Sequence, residues 1–129
     1  MSIDNKILFE FDEKQAYRLV RVTDTEGVDK TDTDELYSSV AGCVACDLRY
    51  DLRASYAGAY RMYLDFVQDN SGTWINRTIH TSPVLKVEAT ETSVNIHTCY
   101  SVYVFEKATL LETPVCADKN IIELYLSID

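Results

Sequence analysis

Apolar and polar positions alternate along most of the chain. Tyr60, Met62, Leu64 and Phe66 are interleaved with Arg61, Tyr63, Asp65 and Val67. Val94, Ile96, Thr98, Tyr100, Val102 and Val104 are interleaved with Asn95, His97, Cys99, Ser101 and Tyr103. Further on, Ile122, Leu124, Leu126 and Ile128 are separated by Glu123, Tyr125 and Ser127. Successive side chains of a strand point to opposite faces, so a period of two predicts strands with one face buried and one wetted. The pattern predicts strands over 59–68, 93–106 and 122–128. Two more are expected over 7–11 and 17–23, separated by Asp12-Glu13-Lys14-Gln15.

Turn chemistry falls between these runs. Asp24-Thr25-Glu26-Gly27 ends the strand at 17–23, and Ser55-Tyr56-Ala57-Gly58 precedes the one at 59–68. Asp69-Asn70-Ser71-Gly72 joins that strand to residues 73–80 as a hairpin. Ser82-Pro83 breaks the next run, and residues 88–92 form a polar turn. Residues 33–52 read in two ways. Thr33-Asp34-Glu35 fits the cap of a short helix starting near Leu36. Val40, Val44, Cys46, Leu48, Tyr50 and Leu52 instead share one side of a period-two pattern, with Gly42 on that side as a bulge. A strand over about 41–51 after a polar loop is the expectation adopted. Evenly spaced strands joined by short turns predict one all-β domain, an antiparallel β-sandwich over 1–129.

Composition narrows the partners. Lys and Arg number 12 and Asp and Glu 21, a net charge of −9 that repels nucleic-acid backbones and anionic membranes. Neither is expected as a partner. No basic start followed by an apolar run opens the sequence, and no stretch approaches the length of a transmembrane helix. Synthesis in a reducing cytoplasm is therefore expected, where free thiols are the default. Nine Tyr beside four Phe and one Trp favour half-buried strands and contact surfaces.

One block carries a resemblance. Tyr17-Arg-Leu-Val-Arg-Val-Thr-Asp-Thr-Glu-Gly27 is followed by a polar loop and by Gly42-Cys-Val-Ala-Cys-Asp-Leu-Arg-Tyr-Asp-Leu. Ala57-Gly58-Ala59-Tyr60-Arg-Met-Tyr-Leu-Asp-Phe66 and a turn ending at Gly72 come next. This block, residues 15–80, resembles the immunoglobulin-like domain at the N-terminus of phage baseplate upper proteins. A strand ending in an Asp-rich Gly turn, a Gly-led strand and an Ala-Gly-x-Tyr strand are the shared elements. Gly makes the corner and Tyr spans the sheet edge with its hydroxyl available to backbone. The resemblance implies an immunoglobulin-like sandwich, with residues 82–129 as additional strands. It also implies a virion component that works by docking to copies of itself and to other virion proteins, without catalysis or cofactor.

The residues that could carry chemistry are few. Cys43-Val-Ala-Cys46 has the spacing of a zinc knuckle or redox pair, with Cys99, Cys116, His80 and His97 as the remaining candidate ligands. On a strand, positions 43 and 46 face opposite sides, which disfavours a shared metal. Unpaired thiols, with Cys46 buried and Cys43 more exposed, stand beside disulfides within or between subunits and beside zinc. Cys43, Cys99 and Cys116 are the candidate disulfide or inter-subunit thiols, since a virion protein leaves the reducing cytosol. No metal site is assigned. His80 and His97 stand alone on strands, and no G-x-S-x-G motif accompanies them, so no catalytic residue is assigned. The acidic loop 29–35 lacks the EF-hand pattern and reads as a solvated loop. Tyr56, Tyr63 and Trp74 are candidate contact aromatics.

Three functions from different classes remain. The first is a structural protein of a phage virion, in its tail, baseplate, head decoration or connector. The second is a small acidic inhibitor, an anti-defence or immunity protein that occupies a basic partner. The third is a carbohydrate-binding module built on Trp74 and neighbouring tyrosines. An enzyme is not expected.

Overall fold

A computed structural model describes residues 9–12, 14–56 and 59–110. The strands are β1 (Ala16–Thr23), β2 (Val44–Tyr56), β3 (Ala59–Gln68), β4 (Trp74–His80), β5 (Val84–Ala89), β6 (Ser93–Thr98) and β7 (Val102–Ala108). They form one antiparallel sheet in the order β4-β3-β2-β1-β7-β6-β5. The fold is all-β and sandwich-like, as the alternation predicts, because this sheet curls until its two halves face each other. Phe66 on β3 and Phe105 on β7 show the curl. A flat sheet would hold strands three places apart about 14 Å from each other, yet these rings stack with centroids 6.2 Å apart. Between the halves lie Leu19, Val22, Met62, Leu64, Val94 and Ile96, all fully buried. The predicted strand at 122–128 and residues 7–8 lie outside the described residues, and residues 9–11 are not in a strand. Phe11 instead packs edge-on against Tyr17 at 5.9 Å.

The ladders also fix strand directions. β4 opposes β3 and β5 opposes β6, and following the antiparallel pairs round the sheet gives β4 and β5 the same direction. The two are successive halves of one run, kinked at residues 81–83. Thr81 still belongs to β3: its N–H donates to the Met62 carbonyl at 2.8 Å and its hydroxyl accepts the Met62 N–H at 3.0 Å. Two residues later the Pro83 carbonyl already accepts the Cys99 N–H beyond β6 at 3.1 Å. Proline has no N–H to strand at the point where the run changes neighbour.

Three sequence expectations are corrected. The strand expected over 93–106 is a hairpin that turns at residues 99–101. The Thr98 hydroxyl closes it, donating to the Ser101 carbonyl at 2.9 Å and accepting the Ser101 N–H at 3.1 Å. A side chain thus does what Gly or Pro usually marks, and the alternation changes phase across it. Tyr103 and Phe105 point inward, whereas Tyr100 is 74% exposed. Residues 33–42 take the helical reading: a 3₁₀ turn (Thr31–Thr33) precedes the short helix α1 (Glu35–Ser38), whose Asp34 cap accepts the Leu36 N–H at 2.8 Å. Strand β2 therefore starts at Val44 and not near 41, and Gly42 serves the turn before it, at φ +80. Finally, Leu52 departs from the inward side of the pattern, which holds at Val40, Val44, Leu48 and Tyr50. Asp51 pairs with Arg61 but Ser55 with Tyr60, so residues 52–54 bulge from the ladder. That bulge leaves Leu52 65% exposed while Asp51 is nearly buried.

Candidate functional site

The outer face of β2, β3 and β4 gathers the densest set of polar and aromatic side chains. Asp51 lies where the β2 bulge begins, and Arg53 folds back onto it. The Arg53 Nε and Nη2 donate to the two Asp51 oxygens at 2.9 and 3.0 Å, and the Arg53 backbone N–H adds a third bond at 3.1 Å. The Tyr63 hydroxyl of β3 donates to Asp51 Oδ2 at 3.2 Å. His80 of β4 sits across from Tyr63 in the ladder, stacks on its ring at 4.4 Å and 9°, and brings Nε2 to 3.3 Å from Asp51 Oδ2. Arg49 lies 5.0 Å from the same ring centroid and pairs with Asp65, which also accepts the Thr78 hydroxyl at 2.6 Å.

The electrostatics follow from this geometry. Hydrogen bonds from the Arg53 side chain, then from its backbone N–H, hold the Asp51 carboxyl well below the usual carboxylate range. The ionised carboxylate accepts the Tyr63 hydroxyl and lies beside His80 Nε2, which fixes the orientation of both side chains. The face presents guanidinium edges around a tyrosine, an arrangement suited to contact with another surface. Among the described residues, no three His, Cys, Asp or Glu side chains gather into a metal-binding group.

The structure separates the residues singled out from sequence. Tyr63 is at the centre of this network, but Trp74 starts β4 at the opposite end from His80, opposite Gln68. The Tyr56 side chain and Cys116 lie outside the described residues. Cys43 and Cys99 are free thiols. The expected exposure is reversed for the CxxC pair: Cys43 is buried and Cys46 half-buried. The reason is the late start of β2. Cys43 belongs to the turn that follows α1, with its N–H on the Val40 carbonyl and its Sγ 3.7 Å from the Ser39 carbonyl. Burial, and then the neighbouring Asp69 carboxylate, push its thiol pKa up. Cys99 is half-buried in the β6–β7 turn.

Many of the excess carboxylates have local duties. Asp24 Oδ1 accepts the Glu26 and Val28 N–H groups, and Asp29 Oδ1 accepts the N–H and hydroxyl of Thr31. Asp69 Oδ1 accepts the Ser71 and Thr73 N–H groups. Each closes a turn with a side chain in place of a backbone carbonyl. Part of the negative charge is therefore a consequence of how the strands are connected.

Sequence reasoning missed Arg49, Asp51, Arg53, Asp65, Thr78 and His80 as a group. A signal was present: charged or polar residues at every second position on consecutive predicted strands belong on one wetted face. No family model matches the chain, and no significant match emerges among curated proteins or solved structures.

Proposed function

We propose that the protein is a non-enzymatic structural component of a phage virion, acting through association of its subunits. The observation that carries this reading is the unfinished sheet. Among the described residues β4 pairs only with β3 and β5 only with β6, so within that set both end strands keep one row of backbone donors and acceptors unpaired, the kind of edge that another chain can extend. The resemblance of residues 15–80 to a phage baseplate domain supplies the setting, and the tyrosine- and arginine-rich outer face supplies a second contact surface. Light scattering of the purified protein, with mass spectrometry of purified particles, tests the proposal. Self-association and presence in particles are expected. A persistent monomer that is missing from particles refutes it.

A second reading is an acidic inhibitor of a basic partner. It draws on residues 24–35, where Asp24, Glu26, Asp29, Asp32, Asp34 and Glu35 accompany Lys30. Salt-sensitive binding to a nuclease, by a protein that stays monomeric, would favour it over the first.

A further inference from the structure

The free edge of β5 is patterned to pair with itself, and we infer that two copies of the chain join there, antiparallel, across a twofold axis centred on Val87. The inference deepens the virion-assembly reading and rests on its premise of self-association.

Among the described residues, β6 is the one strand in a ladder with β5. Thr81 sits opposite Met62, three positions from the start of β3 at Ala59. From Leu85 onward the run has therefore passed the residues that would continue its ladder with β3. The side each backbone group faces follows from the β5–β6 turn. Thr90 donates its N–H to the Ser93 carbonyl at 2.8 Å, which marks a hydrogen-bonded pair. Such pairs recur every second residue, so Glu88 and Lys86, opposite Asn95 and His97, also direct their backbone groups to β6. Val87 and Ala89 then direct theirs outward, to the free edge.

A second β5 laid antiparallel with Val87 opposite Val87 of the partner subunit uses those outward groups. It sets Lys86 opposite Glu88 of the partner subunit, and Glu88 opposite Lys86 of the partner subunit. Both are non-hydrogen-bonded pairs, the positions where side chains across a ladder approach most closely. Lysine alone on an edge opposes pairing. Within one chain Lys86 Nζ lies 3.9 Å from Glu88, whose other oxygen meets His97; the exposed Lys86–Glu88 pair can exchange partners across the axis, which selects one register and makes the strand complementary to its own copy, as a twofold interface requires. Leu85, 62% exposed, gains cover from Ala89 of the partner subunit in the same register.

The test uses the full chain and two charge reversals at exposed positions, Lys86→Glu and Glu88→Lys. Sedimentation and light scattering should show dimers of the unaltered protein. Each reversal alone places like charges opposite each other at both pairs and should weaken dimerisation about tenfold. An equimolar mixture of the two variants restores opposite charges at every pair and should recover dimers, which also shows that both variants are folded. Association that ignores both reversals, or that the mixture does not rescue, overturns this interface and leaves the assembly reading standing. A monomer at every concentration overturns this interface, and the assembly reading falls with it when the protein is also missing from purified particles.

Discussion

The inward phase of β7 is the feature on which sequence and structure differ most sharply, and a pair of substitutions tests it. The simple alternation puts Val104 on the buried side, but the structure puts Phe105 there. Phe105 is fully buried, edge-on to Tyr17 at 6.4 Å and stacked on Phe66 at 6.2 Å, so it joins the two facing halves of the sheet. Phe105→Ala should cost about 3–5 kcal/mol, the transfer of the ring plus the cavity it leaves. For a domain whose whole stability is about 5–15 kcal/mol, that is about a fifth or more. With a urea slope of about 2 kcal/mol per molar, the unfolding midpoint falls by about 2 M. Val104 is half-buried on the other face, and Val104→Ala should cost about 1 kcal/mol. Urea unfolding followed by circular dichroism and by Trp74 fluorescence measures both. If Val104→Ala proves the more damaging, the phase change at residues 99–101 is wrong, and with it the hairpin between β6 and β7.

Three further predictions rest on single contacts. Thr98→Val removes the hydroxyl that closes the β6–β7 turn and leaves the Ser101 N–H without that partner; it should cost about 2 kcal/mol in the same assay, with Thr98→Ser close to the parent. The depressed Asp51 carboxyl stabilises the fold fully above the unfolded carboxylate range and loses that contribution as pH falls through its lower folded value. Thermal melts from pH 5 down to pH 2 should therefore fall less steeply for Asp51→Asn than for the parent, and equal slopes would remove the Arg53 interaction from the account. Native alkylation, read by peptide mass spectrometry, should modify Cys99 well before Cys43, whose thiol is buried and raised in pKa; the reverse order would contradict the turn geometry after α1.

The strands of this protein were legible where period-two segments meet turns rich in Gly, Asp and Pro. β3 and β4 fall where the alternation and the Asp69–Gly72 turn put them, and Met62, Leu64 and Phe66 face inward as that pattern requires. Legibility failed where side chains replace those turn residues. Thr98 closes a hairpin inside an unbroken alternation, and a three-residue bulge in β2 exposes Leu52 without a local sequence mark. The outer-face network was legible only as a shared face. His80 meets Tyr63 through the β3–β4 register. Pairing across strands is a long-range property, whereas residue spacing is a local one.

The kinked run of β4 and β5 also bears on how the chain reaches this fold. β1 to β4 form one local meander and β5 to β7 another, each built from neighbours in sequence, and residues 81–83 hand one directly to the other. Among the described strand ladders, that of β1 with β7 alone joins distant parts of the chain; the bond from Gln15 to the Ala108 carbonyl spans 93 positions. Closing a loop of that length is the slow, entropically costly event among otherwise short-range ones. The rate of folding should thus be governed by the meeting of β1 with β7, and a chain nicked between Ser82 and Pro83 would reassemble through that same ladder.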